Sequence, residues 1–211
     1  MELFDALDCA GNKTGESISR DEAHRTGAWH GAFHCLIIYE REGAQYALFQ
    51  KRSLDKKITP GKFDVSVGGH YATGEDASSA GPREIREELG LEVAFRELVL
   101  VGKRVFVYGF APGVKECEFQ DVFLLPVNAG PENLRLQEEE VDGVLELEVE
   151  EGIRLFSGQA GKAEGRFFAG NKTGTLLMVS KDDFVPNLDN YYLKLLILAR
   201  RYFEGERVLV I

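Results

Sequence analysis

The sequence predicts an α+β fold in which a curved mixed β-sheet is sandwiched by helices, with an additional helix near the C-terminus. Three observations predict this class. Apolar runs of strand length recur between residues 32 and 149. A glutamate-rich segment of helical composition, residues 83–90, lies between two of these runs. Near the end of the chain, apolar residues recur with the 3.6-residue period of an amphipathic helix.

The first predicted strands are a hairpin followed by a third strand. Residues 32–40 and 45–51 are apolar runs joined by the short segment "REGA", which indicates a hairpin turn. In "KFDVSVGG", the residues Phe63, Val65 and Val67 alternate with polar residues. That alternation predicts one half-buried strand with the three apolar side chains on the same face.

A second hairpin and a further strand are predicted in the middle of the chain. Residues 98–110 and 117–127 are strand-like runs on either side of a Pro/Gly turn at 111–114. The segment "VDGVLELEV" (141–149) predicts another short strand. Residues 157–174 contain five glycines and are expected to be the least ordered segment.

The glutamate-rich helix has predictable ends. A proline in a helix interior costs about 3 kcal/mol, so Pro82 favours a start close to itself. We therefore expect the N-cap at Ser78 or Ser79, which leaves Pro82 in or next to the first turn. Gly90 is expected to end the helix, because glycine adopts the left-handed conformation of a C-cap at little cost.

Both predicted helices have an apolar face. In the glutamate-rich helix, Ile85 and Leu89 are expected to face the core from the side opposite the carboxylates. The C-terminal helix, within "LDNYYLKLLILARRYFEG", is expected to be the longer of the two and to end before a glycine. Its apolar stripe comprises Leu188, Tyr192, Leu195, Leu196 and Ala199.

Composition argues against several classes of partner and location. The formal net charge of −10 disfavours binding to a nucleic-acid backbone or to an anionic membrane. The three cysteines are widely spaced and form no CxxC pattern, which fits a reducing compartment. No apolar run reaches the length of a signal peptide or a membrane span, so a cytoplasmic protein is expected.

Three carboxylates are gathered on one face of the predicted helix. Glu84, Glu87 and Glu88 share that face because successive helical residues turn by about 100°. Like charges at these spacings cost roughly 0.2–0.5 kcal/mol per pair. A bound divalent cation relieves this repulsion, and Mg²⁺ prefers hard oxygen ligands in octahedral geometry. By itself, such a run is typical of a solvated, salt-bridged helix face, and the motif that surrounds it distinguishes that interpretation from a metal site.

The segment "GGHYATGEDASSAGPREIREELGL" matches the pattern G-x5-E-x7-R-E-U-x-E-E-x-G-U, with U apolar, at every defined position. It resembles the signature of the Nudix hydrolases. The resemblance implies the Nudix fold, hydrolysis of a diphosphate linkage in a small molecule, and a need for Mg²⁺, with Mn²⁺ as an alternative. The matching residues are Gly69, Glu75, Arg83, Glu84, Ile85, Glu87, Glu88, Gly90 and Leu91.

The same resemblance implies roles for individual residues. Arg83 would orient the helix or pair with Glu75. One of the motif glutamates, or a glutamate on a later loop, would serve as the general base for the attacking water. The metal ligands would be the carboxylates of Glu84, Glu87 and Glu88 and the backbone carbonyl of Gly68.

Two flanking segments, "RDEAHRTGAWHGAFH" and "LFQKRSLDKKITPGKFDVSVGGH", look like those of isopentenyl diphosphate isomerases and of the isomerase-like branch of Nudix hydrolases. In the isomerases a metal lies among three histidines and two glutamates. The matching residues, which would bind a second metal or line the cleft, are His24, His30, His70, Glu116 and Glu118. Glu118 would act as a base or as a ligand. The residues that would hold the diphosphate are Arg52, Lys56 and Lys57.

One departure from the isomerase pattern distinguishes the functional hypotheses. Isomerases carry a cysteine where this chain has Gly68, and that thiol handles the proton at the alkene carbon. A hydrolase of a nucleoside diphosphate derivative or an isoprenoid diphosphate needs no such thiol. We therefore expect a hydrolase, with an isopentenyl diphosphate isomerase and a non-catalytic diphosphate sensor as alternatives.

The resemblance also suggests a division of the chain. Residues 1–30 are expected to form an N-terminal extension, residues 31–155 the Nudix domain, and residues 156–211 a C-terminal extension packed on the same domain. The sequence leaves open the physiological substrate, the identity of the general base, a second metal at the histidines, and the choice between a monomer and a homodimer.

Overall fold

The computed structural model describes residues 2–111, 113–169 and 173–211. Within these ranges the chain forms both β-strands and α-helices. The strands are β1 (Leu3–Leu7), β2 (Lys13–Ser19), β3 (His30–Arg41), β4 (Ala44–Arg52), β5 (Phe63–Val65), β6 (Val67–His70), β7 (Val99–Ala111), β8 (Val114–Pro126), β9 (Val141–Glu148), β10 (Ala163–Phe168) and β11 (Thr175–Val179). The helices are α1 (Arg20–Thr26), α2 (Ala77–Leu89), α3 (Val149–Phe156) and α4 (Tyr191–Phe203).

The main sheet is mixed and is organised around β3. Its strand order is β11-β10-β9-β4-β3-β8-β7, with β5 paired to β4 and β6 paired to β3. The β3–β8 pair is parallel, and the other pairs in this sheet are antiparallel. β1 and β2 form a separate two-stranded sheet.

Side chains alternate along β3 between two apolar cores, one on each face of the main sheet. Phe33, Cys35 and Ile37 lie in the core that includes the apolar face of α2. Leu36 and Ile38 lie in the other core, with α3 and α4. Fully burying one such apolar side chain contributes about 1.5–3 kcal/mol. Helices therefore cover both faces of a mixed sheet, which confirms the predicted α+β class.

The first 30 residues form the β1–β2 hairpin and α1. The backbone N–H of Leu7 donates to the carbonyl of Trp29 at 2.8 Å, which ties the hairpin to the start of β3. α1 begins at the N-cap Ser19, whose hydroxyl accepts a hydrogen bond from the N–H of Glu22 at 3.3 Å. The helix packs against β8 and carries His24.

The segment predicted as one strand is divided into β5 and β6 at Ser66. β5 pairs with β4, whereas β6 pairs with β3. The Ser66 hydroxyl accepts from the N–H of Ile37 at 2.7 Å and donates to the carbonyl of Leu48, so it bridges β3 and β4 at the break. Phe63 consequently lies in the α4 core and Val67 in the α2 core. The prediction that both share one face was wrong.

Helix α2 begins earlier than predicted. Asp76 is the N-cap, and its carboxylate accepts hydrogen bonds from the N–H groups of Ser78 and Ser79 at 2.9 and 3.2 Å. An aspartate cap contributes about 1 kcal/mol, and this cap moves the start of the helix away from either serine. Pro82 therefore lies inside α2 rather than in its first turn. The predicted end at Gly90 is confirmed, with a left-handed φ of 68°.

Helix α4 differs from its prediction at the start. α2 and α4 each span 13 residues, so the expectation of a longer C-terminal helix was wrong. Leu188 is 86% exposed and lies before the helix, because the chain turns at Asn190 with a left-handed φ of 56°. The remaining residues of the predicted stripe are buried: Tyr192, Leu195, Leu196 and Ala199. The helix ends at Phe203, before Gly205, as predicted.

Within residues 157–169, part of the segment expected to be least ordered, β10 forms and pairs with both β9 and β11. The main sheet thus continues into the segment that the sequence suggests as a C-terminal extension. The β7–β8 pairing confirms the second hairpin. Residue 112 of its turn and residues 170–172 lie outside the described residues. In the described part of the chain, no helix has the length and hydropathy needed to cross a bilayer.

Candidate active site

A cleft of about 480 Å³ is lined by the sequence-predicted site residues other than His30, which is fully buried. Its lining includes side chains from α1 and α2, from β3, β5, β6, β7 and β8, and from residues 52–59, 137–140 and 185–192. This volume is in the range of small-molecule sites.

Arg83 gathers the carboxylates of the glutamate-rich motif. Its guanidinium donates to Glu75 through Nε at 2.8 Å and through Nη2 at 2.6 Å. Nη1 donates to Glu84 at 2.9 Å and to Glu87 at 3.0 Å. Charge-assisted bonds of this kind are roughly twice as strong as neutral ones. They hold the α2 carboxylates in place against their mutual repulsion.

The three motif carboxylates of α2 differ in burial. Glu84 and Glu88 are buried, whereas Glu87 is exposed. The Glu84 carboxylate lies so close to Gly69 that a Cβ atom there would collide with it. Glu88 accepts a hydrogen bond from Gln50 Nε2 at 3.1 Å. Burial, with the nearby Glu84, raises the pKa of Glu88 to about 8, and burial also raises the pKa of Glu84.

Gly68, the predicted carbonyl ligand, lies beside this group. It lines the cleft, and its backbone N–H favours the ionised form of Glu88 and so opposes the rise in that pKa. Buried carboxylates with raised pKa values are stabilised in their ionised form by a nearby cation. The α2 face therefore has the donor chemistry of a divalent-metal site.

The register of the sheet assembles the histidine cluster, which we define as His24, His30, His70, Glu116 and Glu118. His30, at the start of β3, is directly opposite Glu118 in the parallel strand β8. β6 pairs with β3 on its other side and ends at His70. Glu116 lies two residues from Glu118, on the same face of β8. His24 reaches the cluster from α1, with Nε2 at 3.5 Å from Glu116 Oε1.

The ligand atoms of the histidine cluster converge on one point. One ligand atom from each of His24, His30, His70 and Glu116 lies within 4.8 Å of the others. The Nε2 atoms of His24 and His30 and the Oε2 atom of Glu116 are buried without a hydrogen-bond partner. An unsatisfied buried polar atom costs about 1–3 kcal/mol. A metal ion bound among them would satisfy all three atoms.

The two glutamates of the histidine cluster have pKa values shifted in opposite directions. Burial and the neighbouring Glu118 raise the pKa of Glu116 to about 9. Although burial opposes ionisation of Glu118, the facing imidazoles of His30 and His70 hold its pKa well below its usual range. The distance from His70 Nε2 to Glu118 Oε1 is 3.0 Å. Burial and repulsion from His70 lower the pKa of His24 to about 4, which keeps that imidazole neutral, the form that binds metals.

The predicted diphosphate-binding residues lie in the same cleft, with different exposure. Arg52 is partly buried and donates to a backbone carbonyl of its own loop through Nε and Nη2, at 3.2 and 2.9 Å. Lys56 is partly buried and forms an ion pair with Glu140. Lys57 has an 87% exposed side chain and pairs with Asp21 at 3.2 Å. Arg52 and Lys56 are therefore the better-ordered cations.

Several polar cleft residues were missed by the sequence analysis. A charged or amide side chain within an otherwise apolar strand was the available signal, because such a residue is buried only with a partner. Arg104, Gln120 and Glu140 line the cleft, and Gln50 donates a hydrogen bond to Glu88. The strand signal applies to Gln50, Arg104 and Gln120, whereas Glu140 lies in the turn before β9.

The family model of the NUDIX domain matches residues 28–164 of this chain. The protein belongs to the Nudix family. An uncharacterized Nudix hydrolase of Clostridium acetobutylicum is 34% identical over 179 residues, which cover 82% of this chain and 85% of that protein. An isopentenyl-diphosphate delta-isomerase of Mycolicibacterium vanbaalenii is 32% identical over 122 residues, covering 58% of this chain and 65% of that enzyme.

The solved structures agree on the fold of this Nudix protein. A crystal structure of a Deinococcus radiodurans protein is similar with a TM-score of 0.54 at 23% identity, over 74% of this chain and 90% of that one. The predicted resemblance to Nudix hydrolases, with isomerase-like relatives, is confirmed. Membership of this family is consistent with diphosphate hydrolysis in general and with use of a divalent metal.

Proposed function

We propose that this Nudix protein is a Mg²⁺-dependent pyrophosphohydrolase that cleaves a diphosphate linkage in a small molecule. The observation that carries the proposal is the presence of Glu84, Glu87 and Glu88 in the same cleft as Arg52 and Lys56. Oxygen ligands for a hard cation and fixed positive charges suit a substrate whose phosphate oxygens contact both.

Two donor sets in the cleft fit two kinds of divalent metal. The α2 carboxylates and the Gly68 carbonyl offer oxygen atoms, which suit Mg²⁺ or Mn²⁺. The histidine cluster offers mainly imidazole nitrogens, which suit transition metals. The partnerless buried Nε2 atoms of His24 and His30 support a metal at this second position.

The chain supplies the binding and proton-transfer groups of the proposed reaction. When bound, Mg²⁺ would neutralise the phosphoryl oxygens and acidify a water molecule. Arg52 and Lys56 would hold the diphosphate by charge-assisted hydrogen bonds, with Lys57 contributing from the exposed rim. Glu118, whose pKa is low, or one of the α2 glutamates would accept a proton from the attacking water.

The cleft lining favours a polar substrate, such as a nucleoside diphosphate derivative, over an isoprenoid diphosphate. An isoprenoid tail is bound most favourably by continuous apolar surface, because it forms no hydrogen bonds with polar walls. Charged and polar side chains dominate this lining. The wholly apolar side chains among the lining residues are Ala32, Ile58, Phe106, Val185 and Pro186.

The proposal is tested by Mg²⁺-dependent release of phosphate or monophosphate from a panel of nucleotide, sugar and isoprenoid diphosphates. We expect wild type to hydrolyse a polar member of the panel. Glu87→Gln and Glu88→Gln should each lose at least ~100-fold in activity, because the metal loses a carboxylate ligand. Glu92→Gln is the matched control, since Glu92 is exposed and lies outside the cleft lining.

Two outcomes would contradict the proposal. Folded wild type that binds Mg²⁺ yet releases nothing from any member of the panel would point to a diphosphate sensor. Equal activity in Glu88→Gln and Glu92→Gln would show that the α2 carboxylates are not the metal site.

The histidine cluster favours one second candidate, an isopentenyl diphosphate isomerase. Glycine at position 68 argues against it, and neither Cys35 nor Cys117 lines the cleft, so the proton transfer at the alkene lacks one of its partners. Incubation of the metal-loaded protein with isopentenyl diphosphate in D₂O decides the question. Absence of deuterium in the recovered substrate and product would exclude the isomerase.

A further inference from the structure

A series of side-chain hydrogen bonds connects the segment before α4 with the histidine cluster. Asp189 accepts from Arg104 Nε at 2.9 Å and from Arg104 Nη2 at 2.7 Å. Arg104 Nη1 donates to Gln120 Oε1 at 2.9 Å. Gln120 Nε2 then donates to Glu118 Oε2 at 2.5 Å. Arg104, Gln120 and Glu118 are 8%, 1% and 6% exposed, so water competes little for these bonds.

Arg104 determines which way the Gln120 amide points. Its guanidinium offers only donors, so the amide oxygen must face it. The amide nitrogen then faces the Glu118 carboxylate, which offers only acceptors when ionised. The reversed amide would place two donors together at one end and two acceptors together at the other. Gln120 is thereby held as a donor to Glu118.

The backbone holds the same residues in register. Arg104 and Gln120 are direct partners in the β7–β8 pairing, and Glu118 lies two residues along β8 on the same face. The Arg104 guanidinium also lies over the ring of Tyr191, 3.9 Å from its centroid. The bidentate bond to Asp189 therefore ties the segment before α4 to the sheet at the position of the cleft.

The two carboxylate oxygens of Glu118 have different contact partners. Oε2 accepts the hydrogen bond from Gln120. Oε1 faces the Nε2 atoms of His70 at 3.0 Å and His30 at 3.6 Å. With Oε2 occupied, the carboxylate cannot rotate away from the point where the imidazoles converge.

We propose that Gln120 is a positioning residue that holds Glu118 toward the histidine cluster, that Arg104 fixes the orientation of Gln120, and that Asp189 makes the C-terminal segment part of this support. The inference rests on the proposed function of the cleft as a metal-dependent active site. It assigns the C-terminal segment a role in the geometry of the reaction centre, in addition to lining the cleft.

The visible absorption of Co²⁺, titrated into the protein without substrate, tests this inference. Absorption bands that disappear in His70→Ala report Co²⁺ at the histidine cluster. We expect Gln120→Leu to shift these bands and to weaken Co²⁺ binding about tenfold or more, as loss of an outer hydrogen bond to a ligand does. Gln45→Leu is the matched control, because Gln45 lies on β4 outside the cleft lining.

A double-mutant comparison tests whether Arg104 acts through Gln120. Arg104→Met should shift the Co²⁺ bands as Gln120→Leu does, and the double variant should add little to either change. Additive changes, or a Gln120→Leu spectrum identical to that of wild type, would overturn the inference. Wild type that binds no Co²⁺ at the cluster would overturn it as well.

Asp189→Asn covers the case in which Arg104→Met does not fold, because the Asp189 side chain is 35% exposed. We expect a smaller shift of the same bands, and unchanged bands would remove the C-terminal segment from the inference. The readout involves no substrate. Absence of diphosphate hydrolysis by wild type would therefore overturn the proposed function and leave the Co²⁺ result to decide this inference separately.

Discussion

At Gly69 the backbone of β6 passes directly against the carboxylate of Glu84. A glycine is required there by close approach rather than by backbone conformation, because its φ is not in the left-handed range. Any side chain would push the carboxylate away from the position in which Arg83 holds it. The motif glycine and the motif glutamate are thus two parts of one contact.

Gly69→Ala is therefore expected to reduce Mg²⁺-dependent activity by about 10–100-fold through displacement of Glu84. Overpacking at this contact should also lower the free energy of unfolding by about 1–3 kcal/mol. Gly161→Ala is the control, because a Cβ there meets nothing within 4 Å. Kinetics and chemical denaturation of both variants measure the two effects, and full activity in Gly69→Ala would contradict this account.

His34 stands apart from the histidine cluster. Its Nδ1 lies 3.0 Å from the hydroxyl of Tyr191, and burial lowers the pKa of the imidazole to about 4. The unfolded chain binds a proton at His34 below about pH 6.5, whereas the folded chain does so only near pH 4. Acidification through this window therefore stabilises the unfolded state.

We predict that the free energy of unfolding falls as the pH is lowered from 6.5 to 4, with His34 contributing about 1–3 kcal/mol. His34→Gln keeps a polar partner for Tyr191 and removes the titration, so its pH dependence should be shallower. Urea denaturation at several pH values measures the difference. Parallel pH profiles for wild type and variant would show that His34 does not contribute.

Among the elements, α2 joins the core to the site. Its buried face carries Ile85 and Leu89, each 0% exposed, while its other face carries the motif glutamates. The helix ends where Gly90 adopts φ 68°, and a Cβ at that glycine would lie 2.7 Å from the Cβ of Arg135. Conformation and crowding thus both require glycine at this C-cap.

Gly90→Ala is expected to destabilise the protein more than Gly205→Ala. Both positions have a positive φ, which costs an alanine about 1–2 kcal/mol. Gly205 has nothing within 4 Å of the added Cβ, whereas Gly90 also meets Arg135, so the difference between the variants measures the crowding. Thermal denaturation of the two variants gives this difference. Equal losses would show that Arg135 yields without cost.

β3 is the element that organises the cleft. It pairs with β6 on one side and with β8 on the other, and so places His70 and Glu118 next to His30. A shift of either pairing by one residue would turn these side chains to the opposite face of the sheet. The apolar alternation of β3 between two cores prevents that shift.

For the whole molecule, the last residues pack against the sheet. Leu209 is 5% exposed, whereas Val208 and Val210 are 80% and 72% exposed. The backbone N–H of Ile211 donates to the carbonyl of Val101 in β7 at 2.8 Å. The apolar C-terminal tail therefore has one buried side chain within its own chain.

Leu209→Ala is expected to lower the free energy of unfolding by about 2–3 kcal/mol, because it opens a cavity in the core that also contains side chains of α3 and α4. Val210→Ala should change it by less than about 0.5 kcal/mol, as exposed positions do. Denaturation at two protein concentrations separates this packing from an intermolecular role. A midpoint that rises with concentration in wild type but not in Leu209→Ala would instead place Leu209 in a homodimer contact.

The sequence by itself determined the features that depend on neighbouring residues. The spacing of Glu84, Glu87 and Glu88 places them on one helical face whatever the rest of the chain does, because 3.6 residues complete a turn. Gly90 ends that helix for an equally local reason. The apolar runs 32–40 and 45–51, with the short turn segment between them, specified a hairpin, and the motif spacing specified the Nudix family.

The tertiary structure decided what depends on pairing between distant segments. Local patterns did not reveal that Ser66 divides one apolar run between two strands, since that break follows from hydrogen bonds to β3 and β4. They also did not place Gln120 beside Glu118 with Arg104 behind it, because this contact needs the β7–β8 register. Backbone geometry acts within a few residues, whereas register is set by packing across the whole sheet, and only the folded chain fixes it.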